Sequence, residues 1–490
     1  MSTPLTMIDF YKADHRSQYP KGTETVFSNW TPRKSRIDGV DKVVFFGLQY
    51  FVEEYLVRRW GRDFFARPKL EVVERYRRRM TNAGINIDVD HIEALHDLGH
   101  LPLEIRALPE GTEVPIGVPM FVLWNTDPEF FWLTNYLETS MSSIVWGPCT
   151  SATIALRYRR IIERWVRHTG GDLGFVDWQG HDFSYRGMYG TEAAMLSGAG
   201  HLLSFTGTDT VPAIDFVEEY YFANSDEELV GGSVPATEHS VMCMGTQDGE
   251  VETFRRLVTE LYPSGIVSIV SDTWDYWKVW TEYLPALREE ILARDGVVTI
   301  RPDSGDPVKI LVGDPDAEPG SPAWRGSFEL AWEVFGGEIN DAGYKMLDSH
   351  INLIYGDSIT PERCEAICAG LAAKGFVPKS IFGVGSYTYQ YNTRDTFGFA
   401  MKATAGMVNG ELREIFKDPI TDDGTKKSAR GLLAVHRSAD GELKLQEGVG
   451  WDEVRDCEFE LVFLNGEVVR TERLSEIRLR IAEAARAEVS

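Results

Sequence analysis

Apolar and polar positions follow two different patterns along the chain. Up to about residue 150, short β-like runs (Pro102 to Leu108, Met120 to Trp124) mix with helix-period stretches such as Phe46 to Trp60 and Phe130 to Ile144. That is the mixture of an α+β module. From about residue 151, β-rich apolar runs end abruptly in Gly, Asp, Ser or His clusters and amphipathic stretches intervene, which is the spacing of βα units. After residue 390 short strands return, joined by hairpin-like turns at Asn409-Gly410, Asp440-Gly441 and Asn465-Gly466, and a terminal helix is expected from about Ser475 to Glu488. The pattern predicts an α/β protein: an irregular TIM-like β/α barrel over 151–389, and a discontinuous α+β domain built from 1–150 and 390–490. An open doubly wound sheet is the competing architecture.

The strand ends carry the candidate chemistry. They are His181 to Gly187, Gly207 to Thr210, Thr237 to Ser240, Ser271 to Thr273, Arg301 to Asp306, Gly356 to Ser358 and Gly383 to Ser386. In Val297 to Pro307 a β-branched run meets one cation, two carboxylates, a hydroxyl and a glycine, and Pro302 and Pro307 forbid its continuation as a central strand. Arg301 suits a phosphate; Asp303 and Asp306 suit a hydroxyl or Mg²⁺, with Asp306 also readable as part of the turn into Pro307. Gly356 ends another run, and Thr360 followed by Pro361 starts a helix whose free N–H groups favour an anion. Gly383 and Gly385 before Ser386 form a second glycine turn where barrels commonly hold phosphate.

Arg186, Arg301 and Arg394 are the cations best suited to grip phosphate, although each taken alone reads more readily as a surface ion pair. Phe183 is an aromatic where a strand turns polar, so it offers a stacking face or a core contact. Asp209 between two threonines is an acceptor for an amide NH₂ or a turn cap. His239 beside Glu238 is a group for proton transfer or phosphoryl acceptance, or a hydrogen-bonded buried imidazole.

Composition narrows the classes. A chain of 490 residues with 43% hydrophobic content holds more than one core, so two packed domains are expected. The net charge of −25 argues against a nucleic-acid footprint and requires locally placed Arg and Lys for a phosphorylated substrate. No stretch approaches a membrane span and no signal segment opens the chain, so a cytoplasmic protein without a membrane partner is expected. Five scattered cysteines read as reduced thiols; Cys364 and Cys368 read as core, and His96 and His100 as a helix end rather than a metal pair.

Taken in order, these segments resemble one family, the nicotinamide phosphoribosyltransferases, which are type II phosphoribosyltransferases. The resemblance rests on Asp9 to Lys12, Phe46 to Tyr50, His181 to Gly187, Gly207 to Thr210, Ser233 to Ser240, Ile300 to Gly305 and Phe416 to Pro419, and it covers nearly the whole chain. It implies transfer of 5-phosphoribosyl from phosphoribosyl pyrophosphate to nicotinamide, with Mg²⁺, in a homodimer with shared active sites. It also implies residue roles. Phe183 and the partner subunit's Tyr11 would sandwich the pyridine, and Asp209 would accept the carboxamide N–H. Arg186, His239 and Arg301 would surround pyrophosphate, and Asp303 with Asp272 would hold ribose hydroxyls and Mg²⁺. Gly356, Asp357, Gly385 and Ser386, with Arg394, Lys402 and Lys426 from across the dimer, would receive the 5-phosphate. His239, Arg301 and Asp303 carry the catalytic roles, and the position of His239 is associated with phosphorylation from ATP.

This sequence departs from that pattern at its short glycine turn, Gly383 to Tyr387, and at Ala400, where a serine is common. Either Arg33 or Arg36 matches a family arginine. The alternatives are a nicotinate phosphoribosyltransferase and a non-catalytic binding protein that retains the fold.

Overall fold

The computed structural model describes residues 3–356, 358–417 and 429–487. The chain divides into two compact units: Met1–Thr150 with Val217–Ala223 and Asn392–Arg480, and Ser151–Phe216 with Asn224–Tyr391 and Ile481–Ser490. The short segment after Phe216 and the division within the terminal helix, Leu474–Ala487, are not visible in the sequence pattern.

The first unit is built on a seven-stranded antiparallel sheet in the order Glu411–Glu414, Ala400–Val408, Thr23–Thr31, Phe121–Asn125, Leu103–Ala107, Glu460–Leu464, Glu467–Val468. Strands from opposite ends of the chain are therefore neighbours, with Asn29 opposite Lys402 and Trp30 opposite Met401. Trp30 is fully buried and stacks on Phe121 and Phe399, with centroids 6.1 and 5.5 Å away. Burying such side chains stabilises the sheet by roughly 2–3 kcal/mol each.

The expected helix Phe46 to Trp60 begins at Leu48, after Gly47 at φ +100°, and continues from Phe51 to Arg59 with wider π-type turns. A Cβ on Gly47 would also strike the Pro148 ring. The expected helix Phe130 to Ile144 is different in the structure: a short turn at Pro128–Phe130 and a four-residue helix Leu133–Tyr136 precede a 32-residue helix, Glu138–Thr169. Its buried stripe of Met141, Val145, Cys149, Ala152 and Leu156 continues unbroken past Pro148, which explains why the proline does not end it.

A buried polar network ties distant parts of this unit together. Glu110 accepts the N–H groups of Gly47 (2.9 Å) and Gln49 (2.7 Å) at the helix start, and the Tyr221 hydroxyl (2.9 Å). Glu472, ion-paired to Arg480, accepts the Glu110 N–H at 2.8 Å. Burial pushes the Glu110 carboxyl up to about 7, with Glu472 adding and the backbone donors and Tyr221 opposing. The folded protein thus keeps a proton that the unfolded chain releases above its ordinary value of 4.5. The associated stability, roughly 3 kcal/mol, is complete below that value and is lost as pH rises through about 7. Denaturant midpoints measured between about pH 5 and pH 8 are expected to fall more steeply in the wild type than in Glu110→Gln.

The second unit holds a parallel sheet in the order Gly207–Thr208, Gly180–Asp182, Ile381–Val384, Ile351–Tyr355, Asp295–Arg301, Ser264–Val270. Single parallel bridges, Gly207 to Gly232 and Ala236 to Ser268, place the segment 232–236 between the first and last of these strands. The sheet therefore closes on itself, as an irregular barrel rather than an open doubly wound sheet. Along its strands the fully buried Ile269, Val298, Ile300 and Leu353 alternate with Ser268, Val297, Thr299, Arg301 and Asn352, which face the cavity inside the barrel. The expected strand before His239 is this bridging segment, and His239 itself starts the helix His239–Met244. Cys364 and Cys368 are buried and free. Gly99, at φ +80°, caps the helix Asp90–Leu98 that carries His96.

Candidate active site

The parallel register sets the polar strand ends on one rim. His181 lies level with Gly207 and with Gly383, and Arg301 with Val270. Two glycines leave the room that this needs: a Cβ on Gly383 would collide with the Phe183 ring, and one on Gly187 with Ser386. His181, Phe183, Asp209, Ser233 and Arg301 line one cavity of about 300 Å³. Phe183, Arg186 and Asp209 also line an adjoining recess of about 330 Å³. The cavity has an aromatic wall, a carboxylate and a guanidinium facing the same space.

Asp209 follows the shortest barrel strand, with its N–H held by the Asp182 carbonyl at 2.9 Å. Its Oδ1 accepts from His181 Nε2 at 2.9 Å and from Ser233 Oγ at 2.6 Å. Burial would raise its pKa, but His181, Ser233 and Arg301 together hold the carboxyl below the usual range. Asp209 is thus an anion with one oxygen committed.

Arg301 is nearly buried, anchored by Nη2 to the Thr237 carbonyl at 2.6 Å and with Nε 3.5 Å from Asp303 Oδ1. Asp272 Oδ2 accepts the Asp303 N–H (2.9 Å) and the Ser304 hydroxyl (2.6 Å), and these bonds fix the Pro302–Ser304 turn. The Tyr355 hydroxyl donates to the Ser304 and Gly305 carbonyls on the same turn. His239 is half-exposed, with Nδ1 3.2 Å from Thr273 Oγ1 and Nε2 3.8 Å from Asp272 and 3.9 Å from Asp303. Gly356 lies against Asp303, where a Cβ would collide with the carboxylate. Asp306 is not at the site: its Oδ1 caps the helix Pro307–Leu311 by accepting from Val308 and Lys309. Thr360 caps the helix Pro361–Ala373 as the sequence indicated.

No three His, Cys, Asp or Glu side chains form a ready-made metal cage among the described residues. The adjacent carboxylates of Asp272 and Asp303 nonetheless fit Mg²⁺, which is commonly held by one or two carboxylates plus phosphate oxygens and water. Asp272 Oδ1 is buried without a hydrogen-bond partner among the described residues, so it is a donor without a ligand of its own.

Tyr11, Arg394 and Lys402 lie in the other unit, whereas Gly385 belongs to the barrel unit, where it precedes the helix Ser386–Gln390. Tyr11 is exposed, 57% of its surface open, and its ring meets His15 edge-on. Arg394 pairs with its neighbour Asp395 at 3.2 Å. Lys402 is held below the usual ammonium range by burial first; the charges of Arg33, Lys417 and Lys12 add to this and Glu138 opposes it. Arg33 therefore belongs to a basic cluster there. Asp357 and Lys426 lie outside the described residues.

Sequence reasoning assigned no role to His181, Ser233, Thr237 or Thr273. The signal for His181 was its two-residue spacing from Phe183, which sends both side chains to one face of the strand.

Fold and site together define a β/α barrel protein whose rim cavity sets an aromatic ring and a carboxylate beside a guanidinium. Residues 178–451 match the nicotinate phosphoribosyltransferase (NAPRTase) family, and residues 4–105 match the N-terminal domain of nicotinamide phosphoribosyltransferase. The chain is 55% identical to a nicotinamide phosphoribosyltransferase of Acinetobacter baylyi, over 98% of this chain and 97% of that one. It is 35% identical to one of Xanthomonas campestris pv. campestris, over 98% of each. Among solved structures, a nicotinate-nucleotide pyrophosphorylase from Pyrococcus furiosus shares the fold, with a TM-score of 0.56, 16% identity, and coverage of 98% of this chain and 95% of that one. The chain belongs to the nicotinate/nicotinamide phosphoribosyltransferase family.

Proposed function

We propose that this enzyme transfers 5-phosphoribosyl from phosphoribosyl pyrophosphate to nicotinamide, giving nicotinamide mononucleotide and pyrophosphate, in NAD salvage. The observation that carries the choice of pyridine is Asp209: an anion beside the Phe183 ring accepts an amide N–H and repels the carboxylate of nicotinate.

Breaking the C1–pyrophosphate bond builds positive charge on the ribose and negative charge on the leaving group, so the chain's task is stabilisation and positioning rather than nucleophilic attack. Arg301, held by the Thr237 carbonyl, meets the departing pyrophosphate with Arg186 and His239 around it. Asp303 orients the ribose hydroxyls, and Phe183 holds the ring face so that its nitrogen approaches C1. Gly356, Gly385 and Ser386 receive the 5-phosphate. Asp272 and Asp303 would hold Mg²⁺, which would supply neutralisation of the leaving group's charge.

The same reading assigns a homodimer in which the partner subunit's Tyr11 covers the ring and the partner subunit's Arg394, Lys402 and Lys426 reach the 5-phosphate. The exposed Tyr11 and the self-repelling charge around Lys402 support it, since an anion relieves that repulsion. ATP is assigned as an activating co-substrate that passes its γ-phosphoryl to His239, releasing ADP. The compartment we assign is the cytoplasm, in keeping with cysteines that form no disulfide; no helix among the described residues is long and apolar enough to cross a membrane.

Assays of the purified enzyme with each pyridine, with and without ATP, test the reading. Mononucleotide from nicotinamide supports it, and turnover of nicotinate alone sinks it. Mixing the inactive variants Tyr11→Ala and Arg301→Ala is expected to restore about a quarter of the activity through mixed dimers. No recovery after subunit exchange would count against shared sites.

A further inference from the structure

The carboxylate that selects the pyridine does not stand alone, and its supports suggest a second layer of selectivity. Asp209 Oδ1 receives two hydrogen bonds, from His181 Nε2 at 2.9 Å and Ser233 Oγ at 2.6 Å. A carboxylate only accepts, so His181 carries a proton on Nε2 and the Ser233 hydroxyl points its proton at the same oxygen. His181 is buried on the strand Gly180–Asp182, its ring 4.6 Å from that of Phe183. Ser233 is exposed, on the segment that closes the barrel. Two separate staves thus grip one oxygen and leave Oδ2 for the ligand.

We infer that His181 and Ser233 are positioning residues that set the choice between amide and acid, by keeping Asp209 ionised and turned with one fixed oxygen toward the pyridine substituent. The inference deepens the proposed nicotinamide activity and rests on it. An ungripped carboxyl in this half-buried place takes up a proton more readily, because burial works against its charge. Once protonated it can donate a hydrogen bond to the carboxylate of nicotinate and no longer repels it. The groups that bear on this carboxyl are His181, Ser233 and Arg301, with Arg186 in the adjoining recess and the backbone of Asp182 behind. Behind His181 lie the carboxylate of Asp182 and the imidazole of His201, the latter committed to Tyr389 and the Gly207 carbonyl. Only His181 and Ser233 donate hydrogen bonds to Asp209 Oδ1 among the described residues.

The test compares kcat/KM for nicotinamide and nicotinate in wild type, His181→Ala, His181→Gln and Ser233→Ala at about pH 6 and pH 8. In His181→Ala the nicotinamide-to-nicotinate ratio is expected to fall about tenfold or more, and further at the lower pH. His181→Gln places an N–H near the position of Nε2 and is expected to recover most of the ratio. Ser233→Ala, at an exposed position, is expected to lower the ratio to a smaller degree and carries the test if His181→Ala does not fold. Equal losses on both pyridines with an unchanged, pH-independent ratio would overturn the inference while leaving the functional reading intact. Wild-type turnover of nicotinate alone would overturn both.

Discussion

Arg301→Ala is expected to lower kcat about 10²–10³-fold, the usual loss when one preorganised donor to a developing negative charge is removed. The guanidinium is nearly buried and already anchored by the Thr237 carbonyl, so no reorganisation is needed when the leaving group takes on charge. Arg301→Lys is expected to recover little, since an ammonium cannot hold the Thr237 carbonyl and pyrophosphate in the same planar fork. The measurement is steady-state kinetics with saturating nicotinamide, accompanied by a thermal midpoint to show that the barrel is intact. Retention of more than about a tenth of wild-type kcat in a folded Arg301→Ala protein would remove Arg301 from the leaving-group role.

Asp209→Asn addresses the other end of the reaction. The amide keeps the shape of the side chain and removes its charge, and its NH₂ can donate to a carboxylate where the aspartate repelled one. The ratio of kcat/KM for nicotinamide over nicotinate is expected to fall roughly 10- to 100-fold, as one charge-assisted hydrogen bond is lost to the first and one repulsion is lifted from the second. Competition between the two pyridines in one reaction reads this ratio directly. An unchanged preference would mean that selection happens elsewhere.

What the sequence revealed of this site follows from where the information is local. The run Val297 to Asp306 ends a buried strand in charged residues, so Arg301 and Asp303 were legible as rim chemistry and Asp306 as part of the turn into Pro307, though not as the helix cap it proves to be. Asp209 and Phe183 were legible for the same reason, each lying at or just beyond the end of a short strand.

The closing segment was not legible as structure: Gly232-Ser233-Val234-Pro235 has no strand pattern, and its place is set by two bridges to strands on either side. The run Phe130 to Ile144 misled because its periodic pattern does not show the break near Leu137, or that the helix from Glu138 continues through Pro148 to Thr169. Glu110 and Glu472 left no trace at all, since their pairing spans 362 residues and neither has a local partner pattern. The charges of Lys12, Arg33, Lys402 and Lys417 meet only when the two ends of the chain form one sheet.

The barrel's closure by a segment with no ladder of its own has a dynamic consequence. Between Gly232 and Thr237 the backbone is held to its neighbours by Thr208 N–H to Gly232, Gly232 N–H to Thr206, Thr237 N–H to Ser268 and Ser268 N–H to Pro235, whereas Ser264–Val270 and Asp295–Arg301 pair along seven residues each. Local opening free energy follows such differences, so amide hydrogens along this seam are expected to exchange with solvent before those of its neighbours, as hydrogen-exchange measurement would show. That stave carries Ser233 and leads directly to Thr237, the anchor of Arg301, and to His239. Because Ser233 lines the cavity and the Thr237 carbonyl anchors Arg301, opening of this stave is expected to reach the cavity wall and the guanidinium together.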